Sequence, residues 1–182
     1  MKRIFAILSV VTSILLAFSC QKGDGDVDYG NNYIYMPQST VTGGLDNHYQ
    51  VPSSTLENTR NFVLTDDSVD IILGVLRSGK QSGSAFTVDI VVNNDASAIA
   101  AAAIGAEVLA EDAYSLPAKA EVEAGSNAAT FYLSVSKSQL AANAGKTLVL
   151  EVGIANPSAY ELASTGTSTC VVINVDSLLQ LI

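Results

Sequence analysis

The chain has 182 residues, 48% hydrophobic and 15% charged, with 9 basic and 18 acidic side chains and a net charge of -9. That length holds one domain, and a composition so apolar is not that of a disordered chain. The acidic balance excludes sequence-independent nucleic-acid binding, which needs a basic surface, and two cysteines cannot build a disulfide-rich scaffold.

In chain order, Met1-Lys2-Arg3 is a short positive segment, and Ile4 to Phe18 follows without a charge. Fifteen residues at about 1.5 Å rise span roughly 22 Å, less than the ~30 Å hydrocarbon core, so the run reads as a secretory signal and not a membrane span. It ends Leu16-Ala17-Phe18-Ser19-Cys20, which resembles a bacterial lipobox with Phe18 bulkier than usual. In such signals cleavage falls before the Cys and its thiol carries lipid. The expectation is a signal peptide over residues 1–19 and a membrane anchor at Cys20, with acyl chains as the membrane partner. Gln21 to Asp28 is rich in Gly and Asp and completes a flexible tether over 20–30. Cys-Gln-Lys followed by acids also resembles the export signal of Bacteroidetes surface lipoproteins. That implies an outer-membrane, cell-surface location, with periplasmic retention as the alternative.

The body, residues 31–182, alternates with period two, the mark of half-buried strands. Val69, Ile71, Leu73 and Val75 form one inward set. Phe86, Val88, Ile90 and Val92, then Phe131, Leu133 and Val135, then Leu148, Leu150, Val152 and Ile154, then Val171, Ile173 and Val175 form others. Tyr33–Met36, Phe62–Leu64 and Ala120–Glu123 add shorter strands, giving about eight. Ser78 to Gly83 and Glu123 to Asn127 read as hairpin loops between successive strands. Asp95 is the expected cap of a helix over Ala96–Ile104 ended by Gly105, and Ser136 starts a short helix that stops at Asn143–Gly145. The fold class is therefore all-β: an antiparallel β-sandwich of two stacked sheets with one or two short connecting helices. At this size a core forms without disulfides. Cys170 reads as a small hydrophobe in a strand.

Three segments resemble the N-terminal domain of unknown function of Bacteroidetes surface lipoproteins. They are Tyr33-Ile34-Tyr35-Met36-Pro37-Gln38, then Glu111 to Leu116 with Ala120 to Gly125, then Lys146 to Pro157 with Tyr160-Glu161-Leu162. The resemblance runs from about residue 31 to 176. It implies an immunoglobulin-like sandwich carried by lipoproteins of polysaccharide-utilisation systems, ahead of a glycan-binding or glycoside-hydrolase module. This chain, ending at Ile182, is expected to lack that second module. Tyr114 to Val135 also resembles a Calx-β repeat, which binds calcium through loop carboxylates. Asp66, Asp67, Asp70, Glu111 and Asp112 would be its oxygens, although their spacing fits no fixed ligand code.

Catalytic patterns are missing. His48 is the sole histidine, expected in a loop, and no Gly-x-Ser-x-Gly elbow accompanies it. Gly145-Lys146-Thr147 mimics the end of a P-loop, but Leu140 stands where its first Gly belongs. No enzyme activity, cofactor or metal is expected. A sugar surface needs flat apolar rings beside polar groups. Tyr29, Tyr49 and Tyr160, expected in loops beside Asn, Asp or Ser, are the candidate ligand-binding platform, and Tyr132 alternates outward from its strand. The expectation is a non-catalytic surface lipoprotein that captures a polysaccharide or serves an outer-membrane uptake complex. A structural assembly module docking on such a complex is the alternative, and a calcium-binding Calx-β-like adhesion module is a further one.

Overall fold

Inward-pointing aliphatic residues recur at every second position, so two sheets can bury them against each other, and the computed structural model shows that arrangement. It describes residues 32–41, 47–79 and 83–182. The signal segment, Cys20 and Tyr29 lie outside the described residues. Twelve strands occur among the described residues: β1 (Tyr33–Tyr35), β2 (His48–Val51), β3 (Phe62–Leu64), β4 (Ser68–Arg77), β5 (Phe86–Val92), β6 (Glu107–Val108), β7 (Tyr114–Ser115), β8 (Lys119–Val122), β9 (Ala128–Ser136), β10 (Thr147–Ala155), β11 (Glu161–Leu162) and β12 (Ser168–Asn174). Four helices accompany them: α1 (Gln38–Val41), α2 (Asn94–Ile104), α3 (Lys137–Ala142) and α4 (Val175–Leu179).

One sheet runs β11-β1-β4-β9-β7, with β3 also on β4. The other runs β2-β12-β10-β5-β8, with β6 also on β10. The long pairs β4–β9, β10–β12 and β5–β10 are antiparallel, as expected of an immunoglobulin-like sandwich. Three short pairs are parallel: β1 with β11, β2 with β12 and β6 with β10. The period-two sets do face inward. Val69, Ile71, Leu73, Val75, Leu133, Val135, Leu150, Val152, Val171 and Ile173 are all within 1% of full burial. Each such aliphatic side chain stabilises the fold by about 1.5–3 kcal/mol. Leu140 of α3 and Leu178 of α4 belong to the same core.

Both loops read as hairpins differ from that expectation. β4 and β5 lie in different sheets, and so do β8 and β9. The chain therefore crosses from one sheet to the other through Ser78–Gly83 and back through Glu123–Asn127. The two crossings are tied together: the Gly125 N–H donates to the Gly83 carbonyl at 3.0 Å, and the Arg77 N–H donates to the Asn127 carbonyl at 2.7 Å.

The start of α2 also moves. Asn93, not Asp95, is its cap, with its side-chain oxygen accepting from the Ala96 N–H at 3.0 Å. The reason is an anchor on strand β10. The Asn93 N–H donates to the Glu151 carbonyl, and the Glu151 N–H donates to Ser97 Oγ, each within 3.0 Å. Gly105 ends the helix in the left-handed region, at φ 68°. The inner side of α2 covers residues that simple alternation would leave in water: Ala101 packs with Val149, Cys170 and Val172 in a second small core on the outer face of the sheet.

Asn93→Ala is expected to destabilise the domain by about 1 kcal/mol, and Asp95→Ala by less than half of that. Urea midpoints of the two variants measure the difference.

Candidate functional site

Of the three tyrosines expected to form a platform, Tyr29 lies outside the described residues and the other two are used for packing. Tyr49 is not in a loop. It belongs to β2, which pairs in parallel with β12 and turns the ring inward opposite Val171. It is 8% exposed and its phenol donates to the Ile72 carbonyl at 3.1 Å. Burial pushes this phenol above its ordinary range, opposed by the Asn61 side chain. Its neighbour His48 likewise belongs to β2 and not to a loop, and the parallel register sets it beside Cys170, which is 3% exposed.

Tyr160 sits in the turn before β11 at φ 65°. Its ring meets Phe86 edge-on with centroids 5.5 Å apart, and the Arg77 guanidinium lies 4.8 Å from its centre. The phenol oxygen accepts from the Ser84 N–H at 2.7 Å and donates to the Ser84 carbonyl at 3.3 Å. Arg77 occupies the next inward position after Val75, is 2% exposed, and donates to Asn32 Oδ1 at 2.8 Å. A Cβ at Gly83 would run into the Arg77 guanidinium and the Tyr160 hydroxyl, so any larger residue here has to push those two side-chain ends aside. Tyr160 thus closes the end of the sandwich over a buried cation instead of offering a free ring face.

Two rings are exposed among the described residues, Tyr33 at 41% and Tyr132 at 42%, and Tyr132 is the one that borders a groove. It stands on the outer face of β9 between Thr130 and Ser134. β7 pairs with β9 only at Val135 and Ser134, so the rest of that strand edge faces the edge of β8 in the other sheet. Between the two edges runs an open groove of about 380 Å³. Ser115, Thr130, Ser134, Lys119 and Glu121 supply its polar wall, with Leu116, Ala120 and Phe131 among the apolar lining. Lys119 is held by Asp89 at 3.0 Å, and Asn156 donates to the same carboxylate at 2.9 Å. Those two contacts, Asn156 first, keep the Asp89 carboxyl below its ordinary range. A ring face beside hydroxyls, an ammonium and a carboxylate is suited to a ligand with one apolar face and a hydroxylated rim. The sequence signal for Tyr132 was its outward phase among Thr130 and Ser134.

A second cavity, of about 590 Å³, opens on the other side of the sandwich, lined by Tyr35, Ser39, Thr40, Asn47, Thr165 and Gly166. The hydroxyls of Ser39 and Thr40 are turned back onto the Met36 and Pro37 carbonyls, at 2.6 and 2.8 Å. Among the described residues no three His, Cys, Asp or Glu side chains gather to hold a metal, so the five acids singled out from the Calx-β resemblance do not converge. Among the described residues no helix is long and apolar enough to cross a membrane.

Comparison with known proteins identifies related folds. A family model described as "-like, N-terminal domain" matches residues 29–161. No curated protein matches the chain. A protein of unknown function from Bacteroides ovatus is similar with a TM-score of 0.55 and 15% identity, over 78% of this chain and 46% of that one. A candidate carbohydrate-binding protein from Bacteroides ovatus is similar at 0.52 and 16%, over 78% of this chain and 36% of that one. A two-domain protein of unknown function from Bacteroides fragilis is similar at 0.51 and 12%, over 79% and 45%. The likeness shows a shared fold, and the chain spans less than half the length of each of these structures.

The raised Tyr49 phenol has a pH consequence. A folded-state value above the unfolded one, near 10, contributes stability that is complete below that pH and is lost as pH rises through the folded value. Urea midpoints of the native chain are expected to fall from about pH 10 upward, and Tyr49→Phe to fall less steeply.

Proposed function

The chain belongs to the N-terminal-domain family whose model covers residues 29–161, and from that membership together with the Tyr132 groove we propose a non-catalytic, glycan-capturing module displayed on a membrane by lipid. In this reading Cys20 carries the acyl chains, residues 20–30 extend the domain from the outer-membrane surface, and the β8–β9 groove meets the polysaccharide. The observation that carries the proposal is the exposed ring of Tyr132 between hydroxyl-bearing neighbours at the mouth of a groove. A pyranose presents a face of C–H bonds that stacks on such a ring, while its edge hydroxyls reach Ser, Thr, Lys and Glu groups. The candidate carbohydrate-binding protein that shares the fold supports the choice of ligand class.

The mechanism asks for binding and display only. No side chain in the groove is set up as a nucleophile with its base: Lys119 is engaged by Asp89, and His48 lies on β2, at the opposite edge of its sheet from β8. Retention at a surface then follows from many weak contacts along one polymer.

Affinity electrophoresis in gels cast with soluble polysaccharides tests the groove. Tyr132→Ala is expected to weaken retardation about tenfold, on the order of 1.4 kcal/mol, because the stacking face is lost. Tyr33→Ala, at an exposed ring on β1, is the control and should change nothing. Retardation that survives Tyr132→Ala would place the sugar elsewhere. No retardation on any polysaccharide, with a membrane protein co-purifying, would favour the assembly role.

The anchor has its own test. Cys20→Ala is expected to move the protein from the membrane fraction to the soluble fraction, and membrane association that persists would exclude Cys20 as the attachment point.

A further inference from the structure

Both walls of the Tyr132 groove are open strand edges. The Arg77 N–H donates to the Asn127 carbonyl and the Lys137 N–H to the Asp67 carbonyl, so the odd-numbered residues of β9 turn their main-chain groups toward β4. The even-numbered ones then turn theirs away. β7 meets those of Ser134, and among the described residues no strand pairs with Thr130 or Tyr132 on that side. On β8 the Ala118 carbonyl accepts from the Ile90 N–H, so the even-numbered residues face β5 and the main chain of Lys119 and Glu121 faces the groove.

Two features of these walls decide what kind of glycan fits. The first is hydrogen bonding. An open strand edge offers both N–H donors and carbonyl acceptors. A sugar hydroxyl donates and accepts, so it meets either; a carboxylate or sulfate only accepts, so it meets the carbonyls unfavourably. The second is charge. Lys119 is held at 3.0 Å by Asp89, which stands opposite it on β5. Glu121 is exposed, stands opposite Thr87, and has no ion pair among the described residues. This wall is therefore net negative, in a chain that is itself at -9.

We propose that the groove selects neutral polysaccharides and that Glu121 enforces the selection. Its carboxylate accepts from a sugar hydroxyl and repels a uronate or sulfate group presented at the same place. On the glycan-capture reading of this groove, on which the selection rests, the ligand narrows to polymers without acidic groups. Lys119 has a supporting part: its charge is offset by Asp89, while its ammonium keeps further donors for neutral sugar oxygens.

Biolayer interferometry on immobilised polysaccharides tests the selection, with the full chain carrying Cys20→Ser so that no lipid is attached. The probes are pairs that share a backbone and differ in charge: hydroxyethylcellulose with carboxymethylcellulose, dextran with dextran sulfate, and methyl-esterified with free polygalacturonate. A neutral member is expected to bind through Tyr132, and its acidic counterpart to bind about tenfold more weakly at low salt. Glu121→Gln keeps an acceptor at an exposed site. It is expected to narrow that gap by about threefold to fivefold and to leave the neutral affinity and the melting temperature unchanged. Glu57→Gln removes the same charge outside the groove lining and should not narrow it. An acidic polymer bound as tightly as its neutral counterpart, with both lost in Tyr132→Ala, overturns the selection and keeps the groove as the sugar site. A gap that Glu121→Gln leaves unmoved overturns the role of Glu121. Binding that survives Tyr132→Ala, or no binding to any of these polymers, removes the groove reading and the selection together.

Discussion

The arrangement rests on two chain crossings held together by hydrogen bonds. Had Ser78–Gly83 and Glu123–Asn127 been hairpins, β4 with β5 and β8 with β9 would have paired as neighbours in one sheet. Instead each carries the chain to the opposite layer, and the Gly125 N–H to Gly83 carbonyl bond fastens one crossing to the other. β4 is thereby free to pair along its length with β9, and β5 with β10 and β8. The buried Arg77, the Tyr160 ring and the absent side chain of Gly83 close the same end. The groove follows from this: β8 and β9 end up as facing edges of two sheets and not as partners in one.

Much of the sandwich was legible from alternation, because the inward phase of each long strand is local. Val69 to Val75 and Phe131 to Val135 face the core as their spacing requires. The partner of a strand is not local information. A Gly-rich turn says that the chain bends, and it bends equally well within a sheet or between two, which is why both crossings read as hairpins. Tyr49 escaped for a related reason. β2 is short and its partner β12 stands more than a hundred residues later, so nothing beside Tyr49 signals a buried strand. Asp95 is a good cap by residue type, yet the contacts of Asn93 and Ser97 with Glu151 set the start earlier.

The candidate site was legible only in part. Alternation put Tyr132 outward, but an outward ring on a strand meets either a neighbour or solvent, and only the short reach of β7 decides for solvent. Val149, Cys170 and Val172 show the converse: outward by phase, they are covered by a helix whose docking no local pattern announces. Tyrosines beside polar residues looked like loop platforms, and two of them proved to be packing elements because a phenol can close a core while keeping its oxygen bonded to backbone.

The parallel pairs β1–β11 and β2–β12 join the beginning of the body to its end. As the polypeptide emerges head first, Tyr33–Tyr35 can pair early with β4 but keeps one edge open until Glu161–Leu162 arrives, and His48–Val51 has no strand partner among the described residues until Ser168–Asn174 is made. Such long-range closure makes folding slow. It also makes folding a late event, so the emerging chain stays threadable and open to chaperones until almost its whole length is available.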